Sequence, residues 1–328
     1  TAVVNARGNT GFGALVVGLN GTGTVNQTGG LVEITGGSYA ILGRYGNSSG
    51  TYDISSGELR TNGSSFYLGW DSTGATGTLT VSGTGLVTLN DTILEAGGHG
   101  TAYINQSGGM IDVQNDHIVL GRYTEGETFV DVSAGTMQTS GNSGNRRFHM
   151  AWDQDECQST LTLRGTAQLL VNKDNADASG TPGSGFMAAE RGDATIYIQD
   201  NALLRVYGVD DSEGAMSIGR RGTAEATVYQ TGGEVELYNN YFIAGRYDSS
   251  IGEYNISAGT LKTLGTFGNR RMHLAWDSTS AQGTMNISGT AEVTLNADNA
   301  NASGNPGSGF LVGYNGTGTL TVADNAKT

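Results

Sequence analysis

GNRRFHMAWD, residues 144–153, returns as GNRRMHLAWD at 268–277. The near-identity extends well beyond these ten residues. Sliding the chain by 124 positions aligns 93–204 with 217–328 without a gap, so that Gly121-Arg122-Tyr123 meets Gly245-Arg246-Tyr247 and GTPGSGF (180–186) meets GNPGSGF (304–310). A duplicated catalytic site would explain two copies of a motif. A repeating architecture explains why everything around the motif is copied too.

A shorter period lies inside the long one. An apolar residue, a small residue and then a large polar or aromatic one recur as VGLN at 17, LGRY at 42, LGWD at 68, LGRY at 120, MAWD at 150 and MAAE at 187. The series continues with IGRR at 218, AGRY at 244, LAWD at 274 and VGYN at 312, and a degenerate LEAG stands at 94. These make about eleven units, mostly 25 to 30 residues apart, a spacing that belongs to solenoids and propellers. Propeller blades need four strands and about 40 residues or more, and most of these intervals are too short.

Each unit reads as three short strands. The first ends at the marker, the second follows in segments such as GTYDIS, GTLTVSG and GEYNIS, and the third in GLVEI, GMIDV and GEVEL. All alternate apolar and polar residues with the period of a half-buried strand. The expected fold is therefore all-β: a single right-handed parallel β-helix over 1–328, with about eleven three-stranded coils and no caps. Composition agrees, with 54 glycines, 2 prolines and 37% hydrophobic residues.

In the third strand Val32/Ile34, Val87/Leu89, Ile111/Val113 and Val235/Leu237 are expected to face inward. Glu33, Arg60, Asp112, Gln138, Arg205, Glu236 and Lys262 are expected to face out, with opposite charges on neighbouring coils as Glu33 over Arg60 and as Arg205–Glu236–Lys262. Gln27, Gln106 and Gln230, each before a Gly-Gly corner, are expected to turn inward and bond backbone.

The residue after the small marker alternates as Arg44 then Trp70, Arg122 then Trp152, and Arg246 then Trp276. With coils about 4.8 Å apart, each guanidinium would lie over the indole of the next coil, and the Asp that follows Trp would face Tyr. The repeated ten-mer is thus a corner built twice with its ladder partners.

Several residues could carry chemistry. His149 and His273, with Arg146-Arg147, Arg270-Arg271, Asp153 and Asp277, are the residue types of an acid–base site, but strand parity points both imidazoles to solvent and no nucleophile accompanies both copies. Cys157 has no matching cysteine in the second copy. Asp174, Asn175 and Asp177, in the loop NKDNADASG, are candidate Ca²⁺ ligands by oxygen spacing, yet Asp177 becomes Asn301 in the twin loop and Asx turns explain the composition as well. The row Tyr45, Trp70, Tyr123, Trp152, Tyr247, Trp276 and Tyr314 could stack on sugar rings or on itself. Asp53 and Asp131 occupy equivalent positions in the second strand, with Thr80 and Asn105 between them. Thr80, Thr162 and Thr321 share that column with other residue types, which breaks any ice-binding threonine ladder. We expect no catalytic residues and no cofactor.

Seventeen basic against 31 acidic residues give a net charge of −14, which disfavours nucleic acid and anionic membrane surfaces as partners. One cysteine gives no internal disulfide. There is no signal-like segment at the start and no apolar run long enough to insert in a membrane. TAVVNARG at the beginning reads as a third strand, while TLTVADNAKT at the end stops after a second strand; either the chain is a window of a longer β-helix, or copies placed head to tail continue the coil in phase.

Phrases such as VGLNGTGTVNQTGG, INQSGG and VYQTGG resemble the Gly/Thr-rich β-helical repeats of bacterial surface proteins, those of autotransporter passengers and of proteins with a sorting anchor. The resemblance implies an exported, elongated molecule at the cell surface. The expected function is an extracellular structural subunit of a filament or adhesin stalk that binds copies of itself, with surface polysaccharide as a second candidate partner. The alternative is a carbohydrate-active or carbohydrate-binding β-helix.

Overall fold

The computed structural model describes residues 3–7, 14–36, 39–174, 184–208, 214–265, 270–298 and 308–328. Every strand pairing in it is parallel, and successive turns of chain stack in order to form a β-solenoid. One wall is an eleven-stranded sheet of short strands, from Leu15–Val17 through Ile118–Leu120, Arg146–Met150 and Arg270–Leu274 to Ser308–Val312. The remaining wall is a sixteen-stranded sheet.

In six rungs the expected second and third strands are one continuous 14-residue strand, as in Thr101–Gln114 and Glu127–Ser140. The bend falls at a Gly-Gly, Ala-Gly or Ser-Gly corner; in Thr101–Gln114, for example, pairing slips between Gln106 and Met110 and then resumes. An irregularity of this kind re-aims a strand without ending it. The inward glutamines hold the bend. Gln27 Nε2 donates to the carbonyls of Gly30 (3.2 Å) and Glu58 (2.9 Å), while the Tyr52 hydroxyl donates to Gln27 Oε1 at 2.6 Å. Tyr254 serves Gln230 in the same way at 2.7 Å. On the rung after Gln106 that place is taken by Val130, and Gln106 Oε1 is buried without a partner.

The interior is built from like positions meeting like. Ala40, Phe66, Leu94, Ile118, Phe148, Phe186, Met216, Phe242 and Met272 form one inward column of the short-strand sheet, all fully buried. Phe148 and Phe186 stack with their centroids 5.1 Å apart. Two degenerate units are phased differently from the sequence reading. Leu68 pairs with Ala96 and Met150 with Ala188, so the markers are Ala96-Gly97-Gly98 and Ala188-Ala189-Glu190 rather than LEAG and MAAE.

The outward third-strand column is only partly as expected. Arg60 lies 3.7 Å from Glu33, and Arg205 bonds Glu236 at 2.5 Å. Lys262, however, turns to Glu234. Asp112, Gln138 and Glu236 sit on the outward parity yet are buried; Asp112, for example, accepts hydrogen bonds from Ser140 (2.6 Å) and Gln114 (2.7 Å).

The small marker residue has one cause throughout. From Gly18 and Gly43 to Ala275 and Gly313 it is in the left-handed region, where a side chain is strained. At Gly43, with φ of 69°, an added Cβ would also lie 2.1 Å from the Thr76 carbonyl oxygen of the next rung. Alanine occurs at the equivalent positions 151, 189 and 275, which shows that the turn itself tolerates a methyl group and that the neighbouring rung sets the requirement. Gly43→Ala should therefore destabilise the solenoid by about 2 kcal/mol or more. A shift of the urea midpoint to lower concentration checks this, and an unchanged midpoint would refute the clash.

Candidate functional site

The outer side of the short-strand sheet and the marker corners beside it hold all three tryptophans and all four histidines of the chain. The marker corners fold back over this face, and three repeated clamps result. The guanidinium of Arg44 lies 4.6 Å from the Tyr45 ring and 5.2 Å from the Trp70 ring; Arg122 lies 4.9 Å from Tyr123 and 4.7 Å from Trp152; Arg246 lies 4.4 Å from Tyr247 and 5.1 Å from Trp276. The expected Arg-over-Trp ladder is thus formed at all three places. The aspartate after each Trp follows in the register of the Tyr below and bonds the neighbouring arginine. Its carboxylate accepts from the Nε of the arginine below, at 2.9 Å for Asp71, 3.0 Å for Asp153 and 2.9 Å for Asp277. Such a contact satisfies the charge that stacking alone leaves unpaired.

Each indole also stacks on an aromatic ring of its own rung. Trp70 stacks on Tyr67 at 4.1 Å, Trp152 on His149 at 4.7 Å and Trp276 on His273 at 4.3 Å. This overturns the expectation that both histidines face solvent: His149 is 4% and His273 is 3% exposed. Parity does place them away from the core, but the returning corners form a second covered layer outside the sheet.

Around His149 the layer is ionic. His149 Nδ1 lies 2.7 Å from Glu190 Oε2, and Arg220 bonds the other oxygen of Glu190. Burial alone would raise the Glu190 pKa. The bond to His149 and the charges of His149, Arg220 and Arg221 outweigh it and hold the carboxylate at about 2. Burial in turn lowers His149, against the pull of Glu190. One clamp to the side, Glu95 is buried and accepts from Arg122 at 2.8 Å. Its pKa is raised because burial exceeds the help from Arg122. Glu190 and Glu95 were missed in the sequence because each stands in a degenerate unit.

These groups are committed to one another. Cys157 is buried, donates to the Gln154 carbonyl at 2.9 Å and has its thiol pushed up to about 11 by burial, which leaves it a poor nucleophile. Among the described residues no cluster of three His, Cys, Asp or Glu side chains could hold a metal ion. Of the calcium candidates, Asp174 accepts from the Gly141 amide at 2.8 Å, and its counterpart Asp298 does the same for Gly265 at 2.8 Å; Asn175 and Asp177 lie outside the described residues. Asp53 and Asp131 are three rungs apart, as expected, and Asp131 forms a paired contact with Arg164 at 2.8 and 2.9 Å. The aromatic corner row is mostly consumed by the clamps, although Tyr45 and Tyr314 remain exposed.

Compared with known family models, curated proteins and solved structures, the chain has no match. Its kinship is one of fold: it is a β-helix repeat protein.

Two outcomes follow. Arg122→Lys keeps the charge but loses the planar stack and the fork shared by Glu95 and Asp153, so a double-mutant cycle with Trp152→Leu should give a coupling of about 0.5–2 kcal/mol; zero coupling would dismiss the clamp. His273 is held at about 4 by burial and by Arg271 and Arg246, against Asp277. A histidine lowered in the fold lets the unfolded chain take the proton first, so stability falls as pH drops from about 6.5 to about 4. His273→Phe keeps the stack on Trp276 and should gain thermal stability relative to the parent across that window but not above pH 7.5, where both rings are uncharged.

Proposed function

We propose that the protein is a structural β-solenoid of the cell exterior, a segment of a filament or adhesin stalk in the manner of the bacterial surface repeats it resembles, with copies stacking head to tail. The observation that carries this reading is the uninterrupted stack itself: every pairing is parallel and in order, and among the described residues one rung follows the next from Val3–Arg7 to Thr317–Val322. A head-to-tail contact between copies lengthens such a stack without closing it.

The wall supports the same reading. Its acid–base groups are spent on fixing one rung to the next, and the net charge of −14 keeps lateral faces of neighbouring fibres apart.

Electron microscopy of the purified chain tests the proposal. The expected result is unbranched filaments whose axial repeat is about 50 Å, eleven rungs at about 4.8 Å each. Dispersed rods of about that length at every concentration would overturn it.

A further inference from the structure

An aromatic strip that plays no part in the clamps crosses the opposite, sixteen-stranded wall. Tyr103 and Phe129 stack on adjacent rungs at 5.4 Å, and Tyr197 and Tyr229 stack at 5.5 Å two rungs further along. Strand register displaces the second pair by two residues, since Phe129 heads the column Thr160–Thr195–Thr227 whereas Tyr197 and Tyr229 continue the column Asp131–Thr162. The strip is therefore oblique. Tyr103, Phe129 and Tyr229 are 39%, 40% and 41% exposed, which sets them apart from the half-covered tryptophans of the clamps.

Beside Tyr229 the strip runs into a dimple of about 100 Å³ lined by Thr231, Asn255, Ser257, Asn286 and Ser288. The amides there are pre-ordered. Asn286 Nδ2 donates to Asn255 Oδ1 at 2.8 Å, and Asn255 Nδ2 donates to Glu253 at 3.0 Å. That leaves Asn286 Oδ1 as a fixed acceptor beside three hydroxyls. From Tyr103 to Asn286 the surface spans six rung intervals, about 29 Å.

We propose that this strip and dimple bind an uncharged polysaccharide laid along the solenoid. The C–H faces of pyranose rings pack on flat aromatic rings, and sugar hydroxyls exchange hydrogen bonds with amides and hydroxyls in a shallow recess, a small polar set beside an apolar wall. Charge selects among partners. Glu127, Asp131, Asp193, Glu225 and Glu253 share the wall with Arg164, so uronic-acid polymers and nucleic acids are repelled. The same acidity opposes self-association through this face. The rigid ladder beneath holds the rings in place before binding, which lowers the ordering cost. The inference does not depend on filament formation, because the strip lies within a single stack.

Affinity electrophoresis in gels containing hydroxyethyl cellulose, glucomannan, galactomannan or polygalacturonate tests it. The expected result is retardation by at least one of the three neutral polymers that persists in about 0.5 M NaCl, where surface charge is screened. Tyr229→Ala, and separately Tyr103→Ala with Phe129→Ala, should weaken retardation about tenfold with thermal midpoints near the parent's, while Tyr314→Ala on the far corner leaves it unchanged. No retardation by any neutral polymer would overturn the proposal. So would retardation by polygalacturonate alone, lost in salt, or parent self-association that the strip variants abolish, which would make the strip a contact between copies.

Discussion

Everything in this molecule depends on the register of one rung on the next. Parallel hydrogen bonds hold adjacent turns of chain at a single alignment, from Val3–Arg7 on Leu31–Thr35 at one end to Gln282–Ile287 on Thr317–Val322 at the other. A slip of one residue would turn every inward side chain outward. The devices seen along the chain protect that alignment. The left-handed Gly or Ala at the marker ends each short strand at the same point, and the inward Gln at the Gly-Gly corner ties its own rung to the following one. Length variation is displaced into the corners, which is why the repeats differ in size while the sheets do not.

The clamps act on the same constraint from outside. A buried ion pair seldom adds much net stability, since desolvation offsets most of the attraction. What Arg122 with Glu95 and Asp153, or Glu190 with His149 and Arg220, provide is discrimination: a shifted rung would leave a carboxylate buried without its partner. Exposed pairs such as Arg164–Asp131 contribute little by comparison. The ion pairs of the wall are thus directed at its own neighbouring rungs.

The periodic part of this architecture was legible in the sequence because it repeats. The marker, the inward columns, the corner glutamines and the Arg–Trp ladder each recur at matching positions, and recurrence identified them without any knowledge of three-dimensional contacts. What was not legible is what the corners cover. Alternation shows which way a side chain leaves its strand and says nothing about whether another layer lies outside, so His149 and His273 were placed in solvent. Glu95 and Glu190 stand in the two units with the weakest markers, and their partners come from rungs 27 to 41 residues away in sequence. The oblique aromatic strip escaped because its two pairs occupy different columns and never align with each other in the repeat.

Spin-label distances along one outward column measure the stacking most directly. On a background in which the buried Cys157 is replaced by Ala, cysteine pairs at Thr51 and Thr160 and at Thr51 and Thr284 lie four and eight rungs apart in register. The account predicts mean separations of about 19 Å and about 38 Å, a strict doubling at about 4.8 Å per rung. Separations that fail to grow with rung number, as in a closed or globular arrangement, would contradict it.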